Sequence, residues 1–182
     1  MGSYINVGMI STEEKENFII STMKFINLLN NFKIILVKYP ADVDYSSWVE
    51  CKEDECGIHD ALEYCYTNNM AEIKCNFKIE KYCLQNVLIR VNHIKNNANC
   101  ILLEIPEEND IFKDINLAEN IILSIISDAS CLGFKYAFCD SEAEAPQILS
   151  EKIKDKYSIF VKFEHGIETT LAPWKIDGFS DR

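Results

Sequence analysis

Apolar residues alternate with polar or small ones at the start of the chain, with Ile5, Val7 and Met9 set against Tyr4, Asn6 and Gly8. Side chains of an extended strand point to opposite faces in turn, so residues 3 to 10 are expected to form a first strand. The period then lengthens. Phe18, Ile19, Met23, Phe25, Ile26 and Leu29 recur at helical spacing and predict an amphipathic helix to about residue 30. Ser11 and Glu14 stand before it at capping-box spacing. KIILVKYP, residues 33–40, reads as a second, largely buried strand ended by Pro40.

Residues 41 to 57 follow neither period and are acidic, with Trp48 their only large apolar anchor. IHDALEYCYTNN predicts a short helix burying Ile58, Leu62 and Cys65. In residues 71 to 80, Ile73, Cys75, Phe77 and Ile79 alternate with Lys74, Asn76, Lys78 and Glu80. NVLIRVNHI and NCILLEIP follow after short connections, which suits an antiparallel meander with one wetter face. His93 shares its parity with Val87, Ile89 and Val91 and is read as a hydrogen-bonded core histidine.

Asn116 and Glu119 mark a further helix start, with Leu117, Ile121, Ile122, Ile125, Ile126 and Ala129 as its buried stripe and Gly133 as its C-cap. FKYAFC is a strand, Pro146 is expected to open a short helix, and YSIFVKF is a last strand. No internal repeat or flexible linker interrupts the pattern. The prediction is one α+β domain over residues 1–182, a mostly antiparallel β-sheet with two main helices packed on one face.

Charge changes the picture most. A formal net charge of -11 on 182 residues disfavours binding to nucleic acid or to an anionic membrane surface. It suits attraction of a basic partner, and equally the solubility of an unremarkable cytosolic protein. The N-terminal stretch lacks a basic segment leading into an apolar run, Asn6 stands where a myristoylation signal carries Ser or Thr, and no apolar run approaches a membrane span. The expected location is cytoplasmic, with all eight cysteines reduced.

Candidate chemistry centres on YAFCDSEAEAP, where Asp140, Glu142 and Glu144 would share one side of an extended chain. Such carboxylates suit a hard divalent cation or acid/base work, but no EF-hand spacing accompanies them. Negative charge also favours a helix start beyond them. Cys51, Cys56, His59 and Cys65 form a soft-ligand set, C-x4-C-x2-H-x5-C, open to zinc although not spaced as a paired CxxC knuckle. Cys139 and His165 allow a thiol–imidazole pair. GxSxG, Walker, GxGxxG and HExxH motifs are all missing, which counts against the common enzyme classes.

Acidic residues recur in three places: Glu50, Glu53, Asp54 and Glu55; Glu104, Glu107, Glu108, Asp110 and Asp114; and Asp140, Glu142 and Glu144. Each falls in a loop or at a strand end, where binding surfaces are displayed. Tyr45, Trp48 or Trp174 beside them would supply aromatic anchors, or would simply be buried.

KYAFCDSEAE around position 140 and the ending PWKIDGFSDR resemble a family of bacterial immunity proteins encoded beside polymorphic toxins. The opening GSYINVGMIS and the middle ILLEIPEE agree with it, and the resemblance is nearest the family catalogued as immunity protein 64. It implies a non-enzymatic cytoplasmic antitoxin, without cofactor or catalytic residue, that binds a cognate toxin domain and blocks its active site. A basic toxin that attacks nucleic acid, a nuclease or deaminase, is the favoured target. Asp140, Glu142, Glu144, Glu107, Glu108 and Asp110 are the expected electrostatic contact surface. In WKIDGF, Trp174, Ile176 and Phe179 would dock the C-terminus, with Gly178 turning the chain. The alternative is a small metal-dependent enzyme built on Asp140, Glu142 and Glu144.

Overall fold

A computed structural model describes residues 3–52, 57–68 and 70–170. In chain order they form β1 (Tyr4–Ser11), α1 (Lys15–Leu28), β2 (Asn30–Pro40), β3 (Trp48–Lys52), α2 (Ile58–Thr67), β4 (Glu72–Ile79), β5 (Tyr82–Ile94) and β6 (Ala98–Pro106). Then come α3 (Ile115–Asp128), β7 (Tyr136–Ser141), β8 (Ile159–Lys162) and β9 (Gly166–Thr170), with short 3-10 turns at Asp110–Lys113 and Glu151–Lys156. The strands make one sheet in the order β3-β2-β4-β5-β6-β1-β7-β8-β9, every neighbouring pair antiparallel. The expected α+β class and the β4–β5–β6 meander are present. Asn96 and Asn97, both at positive φ, turn the chain between β5 and β6, as a tight hairpin requires.

The period-two pattern sorts side chains onto two faces. One face carries Ile5, Val7, Ile73, Phe77, Ile89 and Leu103, and against it pack Phe18, Phe25 and Ile26 of α1, Leu62 and Cys65 of α2, and Ile121, Ile122 and Ile125 of α3. The two 14-residue helices expected there are joined by the shorter α2 on the same face. The other face is divided. Over β6, β1, β7 and β8, a second core of Ile10, Cys100, Leu102, Phe138 and Phe160 is covered by residues 142–157, which cross the sheet as a strap. Over β2, β4 and β5 the same face is polar, with Lys38, Glu72, Lys74 and Arg90 only partly covered.

Several expectations fail, each for a tertiary reason. Ser11 does not cap α1. It is the last residue of β1, paired with Asn99, and its hydroxyl accepts from Glu13 N at 3.1 Å; the helix begins at Lys15 behind Glu14, which makes no side-chain cap. Asp114, not Asn116, caps α3: its Oδ1 accepts from Asn116 N and Leu117 N, and its charge suits the helix dipole. That helix ends at Asp128, and Gly133 (φ +95) turns the chain farther on, ahead of β7.

Pro146 opens no helix, because the strap is held irregular by bonds to both sides. Tyr157 Oη donates to Glu144 O, and Lys95 N donates to Gln147 O. Residues 48–52, read as irregular, pair with β2 as an edge strand; Trp48 is exposed there under the Lys38 ammonium, at 5.1 Å, rather than buried as an anchor. β2 buries only Ile34, Val37 and Pro40, since it lies one strand from that edge. β8 is not the last strand, for β9 pairs with it. His93 keeps its expected face but sits exposed at the rim, where its ring nitrogens bond Asn99 Oδ1 (2.8 Å) and Tyr66 O (2.7 Å). Glu53, Asp54, Glu55, Cys56 and the WKIDGF docking segment lie outside the described residues. Among the described residues no helix is long and apolar enough to cross a membrane.

Candidate functional site

β1 lies between β6 and β7 and runs antiparallel to both, so β6 and β7 finish at the same end of the sheet, where β1 begins. Glu107 N donates to Ser3 O (3.0 Å), and Glu142 N donates to Tyr4 O (2.8 Å). The two acidic segments singled out in the sequence therefore leave the sheet on either side of one strand. Of their carboxylates, Glu108, Asp110, Glu142 and Glu144 are exposed. Asp110 pairs with Lys113 at 2.5 Å, and both groups stay largely in water. An exposed pair of this kind contributes little to stability.

The two remaining acids are not surface groups. Glu107 is 5 % exposed, carried inside where the chain turns from β6 toward the apolar pair Ile111 and Phe112, so it is no part of a contact surface. Asp140 is half-buried and engaged: its Oδ1 accepts from Ser141 N (2.8 Å) and its Oδ2 from Ser158 N (3.0 Å), tying the end of β7 to the entry of β8. Glu142 adopts a left-handed backbone (φ +48), which breaks the period of two. Asp140, Glu142 and Glu144 consequently do not share one side of an extended chain.

Glu142 and Glu144 instead meet groups from three other strands. A cleft of about 490 Å³ runs along the edge of the strap, lined by Tyr4 and Asn6 of β1, Arg90 and Asn92 of β5, and Leu102 and Glu104 of β6. Glu142, Ala143, Glu144 and Ala145 close its other side. Arg90 is fixed at its floor by two carboxylates, Nη2 to Glu72 Oε2 at 3.1 Å and Nε to Glu104 Oε1 at 3.4 Å. Burial raises the Glu104 carboxyl above the ordinary glutamate range; Arg90 pulls it back down and Glu72 adds to the rise. Asn6 is 6 % exposed and its Nδ2 donates to Ala143 O (2.9 Å), anchoring the strap. Its Oδ1 and the Nδ2 of Asn92 are buried and have no hydrogen-bond partner among the described residues. Arg90 Nε is a third such atom among the residues around the cleft, and all three have almost no accessible surface, so they lie within its wall.

Among the described residues the other candidate sets do not assemble; Cys56 lies outside them. Cys65 is buried on the inner face of α2, His59 is exposed on the same helix, and Cys51 lies on β3. Among the described residues, no three His, Cys, Asp or Glu side chains are grouped to hold a metal. Cys139 is fully buried in β7, and burial, with the nearby Asp140 charge, pushes its thiol well above the usual value. A nucleophilic cysteine needs the opposite shift. His165 is exposed in the turn between β8 and β9.

Sequence reading missed Asn6, Arg90 and Asn92, and placed Glu104 only among acidic loop residues. The available signal was polarity at isolated points in apolar strands: Asn6 in YINVGMIS, Arg90 and Asn92 in NVLIRVNHI, and Glu104 in ANCILLEIP. Compared with family models, with curated proteins and with solved structures, the chain matches none.

Proposed function

We propose that the chain is a cytoplasmic immunity protein that binds one cognate toxin domain stoichiometrically and keeps substrate from its active site. The observation that carries the reading is the placement of Glu108, Asp110, Glu142 and Glu144 as exposed carboxylates at one end of the sheet, beside a polar cleft. The net charge of -11 and the resemblance of the 135–144 stretch to immunity proteins support it. A toxin that handles an anionic substrate offers a basic cleft, and carboxylates held on a rigid sheet end can occupy it in place of phosphates. Complementary charge also speeds encounter, which an antitoxin needs.

The test is capture from a lysate of the source cell with the intact chain as bait, followed by identification of the bound polypeptide and its ratio to bait. A single basic toxin domain held in equal amounts supports the proposal; a bound metabolic enzyme or housekeeping complex overturns it. With the partner in hand, reversing Glu142 and Glu144 together to Lys is expected to slow association on the order of 10-fold at low salt and to flatten its salt dependence.

A further inference from the structure

The open face over β2, β3, β4 and β5 carries a charge opposite to that of the chain. Every Lys, Arg and Glu of these four strands stands on it, six cations against two carboxylates, in a chain of net charge -11. Both carboxylates are engaged. Lys38 lies between Glu50 and Glu72 in the register and pairs with Glu50 at 3.6 Å, while Arg90 holds Glu72 at 3.1 Å. The next row has none: Lys52, Leu36, Lys74 and Leu88 are successive cross-strand partners from β3 to β5. The row meets a carboxylate only at Glu104 on β6, which is turned to Arg90. Farther along, Lys33 and Lys78 extend the positive area on either side of Asn76. Among the described residues Lys74 and Lys78 have no ion-pair partner.

We propose that this face docks an acidic polypeptide that carries apolar side chains among its carboxylates. The sign follows from charge complementarity, which steers an anionic surface onto a patch of lysines. The class follows from what lies between the lysines. Leu36 and Leu88, both half-buried, alternate with Lys52 and Lys74 at the strand spacing of about 4.8 Å and offer apolar surface that a phosphodiester chain leaves uncovered. Nucleic acid would also need rings to stack its bases. Trp48 is the one ring on this face among the described residues, and the Lys38 ammonium already covers it. The guanidinium of the face, whose fork suits phosphate, is taken by Glu72 and Glu104. A second copy of the chain fits less well, because its exposed Glu108, Asp110, Glu142 and Glu144 stand beside a polar cleft. The proposal goes beyond the immunity reading, whose carboxylates occupy the end of the sheet and have the opposite charge.

The experiment is an NMR titration of the intact chain with acetyl-EELLEELLEE-amide, with its counterparts bearing Lys for Glu or Ser for Leu, and with a short oligothymidylate. The acidic peptide is expected to shift the backbone amides of Leu36, Lys74, Asn76 and Leu88 saturably, with half-saturation on the order of 1 mM for so small a ligand. Raising the ionic strength from about 0.05 M to about 0.5 M should remove most of that binding. The Lys peptide should leave those amides unmoved, and the Ser peptide should bind more weakly. Lys74→Ser combined with Lys78→Ser should weaken the acidic peptide about ten-fold. Both side chains reach solvent, so the remaining spectrum should be kept. Absence of saturable shifts, or equal shifts with the Lys peptide, overturns the surface, and equal affinity for the Ser peptide overturns the role of the leucines. Tighter binding of the oligothymidylate overturns the choice of a polypeptide. Salt-sensitive self-association in sedimentation, lost in the double variant, overturns it in favour of a second copy. No toxin is needed, so each of these outcomes leaves the lysate capture to decide the immunity reading independently.

Discussion

Gly8 of β1 and Phe138 of β7 are direct cross-strand partners, and the Phe138 ring fills the space that a Cβ on Gly8 would need. The ring stacks on Tyr157 with centroids 4.1 Å apart, and the Tyr157 hydroxyl in turn holds Glu144 O. A glycine in the middle of a strand thus sets the position of the strap and of the cleft wall. Gly8→Ala must push the ring outward and is expected to cost about 1–3 kcal/mol, as overpacking of a filled core does. Urea unfolding should read that loss, and amide exchange should show the strap opening first.

Asp140 is a structural residue on this geometry. Asp140→Ala leaves two backbone donors of the β7–β8 corner without their acceptor and should destabilise by about 2–3 kcal/mol. Asp140→Asn keeps one acceptor oxygen and should cost less. If the carboxylate bound a divalent ion instead, adding Mg²⁺ or Mn²⁺ would raise the melting temperature of the native chain and not of Asp140→Asn. No such difference is expected.

Thiol reactivity should follow burial. Cys83 and Cys131 are exposed, Cys51 is partly covered, and Cys65, Cys75, Cys100 and Cys139 are buried. Burial pushes the Cys75 thiol up to about 12 and the Cys100 thiol higher still. Among these seven, a maleimide pulse followed by peptide mass mapping should modify Cys83 and Cys131 first and the buried four only after unfolding.

Glu104 gives stability a distinct pH dependence. Its folded value is raised, chiefly by burial, so the fold favours its protonated form. The associated stability is fully present below the ordinary glutamate value and is lost as pH rises through the raised folded value. The melting temperature of the native chain, measured against that of Glu104→Gln, should therefore fall across that window and run parallel outside it. Arg90 lowers that value and Glu72 raises it, so Glu72→Gln should move the window down.

Asp42 behaves oppositely. Hydrogen bonds from the Ser47 and Ser46 hydroxyls, joined by the Ser46 and Ser47 backbone N–H groups, lower its carboxyl to about 2. The order it gives the turn between β2 and β3 is present above the ordinary aspartate range and is lost as pH falls through about 2. A carbon-detected titration should find its midpoint there, and Asp42→Ala should loosen exchange protection at Ser46 and Ser47 at neutral pH.

Period alone located β1, α1, α2, the β4–β5–β6 meander, α3 and β7, because burial against a single face forces polar and apolar residues into register with the backbone repeat. It also assigned the core: Ile73, Cys75, Phe77 and Ile79 face inward as their alternation requires. Strands β3 and β9 were illegible, since an edge strand needs a partner more than an apolar pattern. Local signals misled where long-range bonds overrode them, as at Ser11, which sheet pairing claims before it can cap, and at Pro146, which the strap holds irregular. The acidic residues were visible from the start, but not their fates. Glu107 goes inside, Asp140 is bound to backbone at the entry of β8, and Glu142 turns out of the strand while its N–H bonds β1. The strand order β5-β6-β1-β7 brings residues 4–6, 90–92, 102–104 and 142–145 into one cleft. No local pattern encodes it, since the pairing of β1 with β6 and β7 joins positions 88 to 136 residues apart.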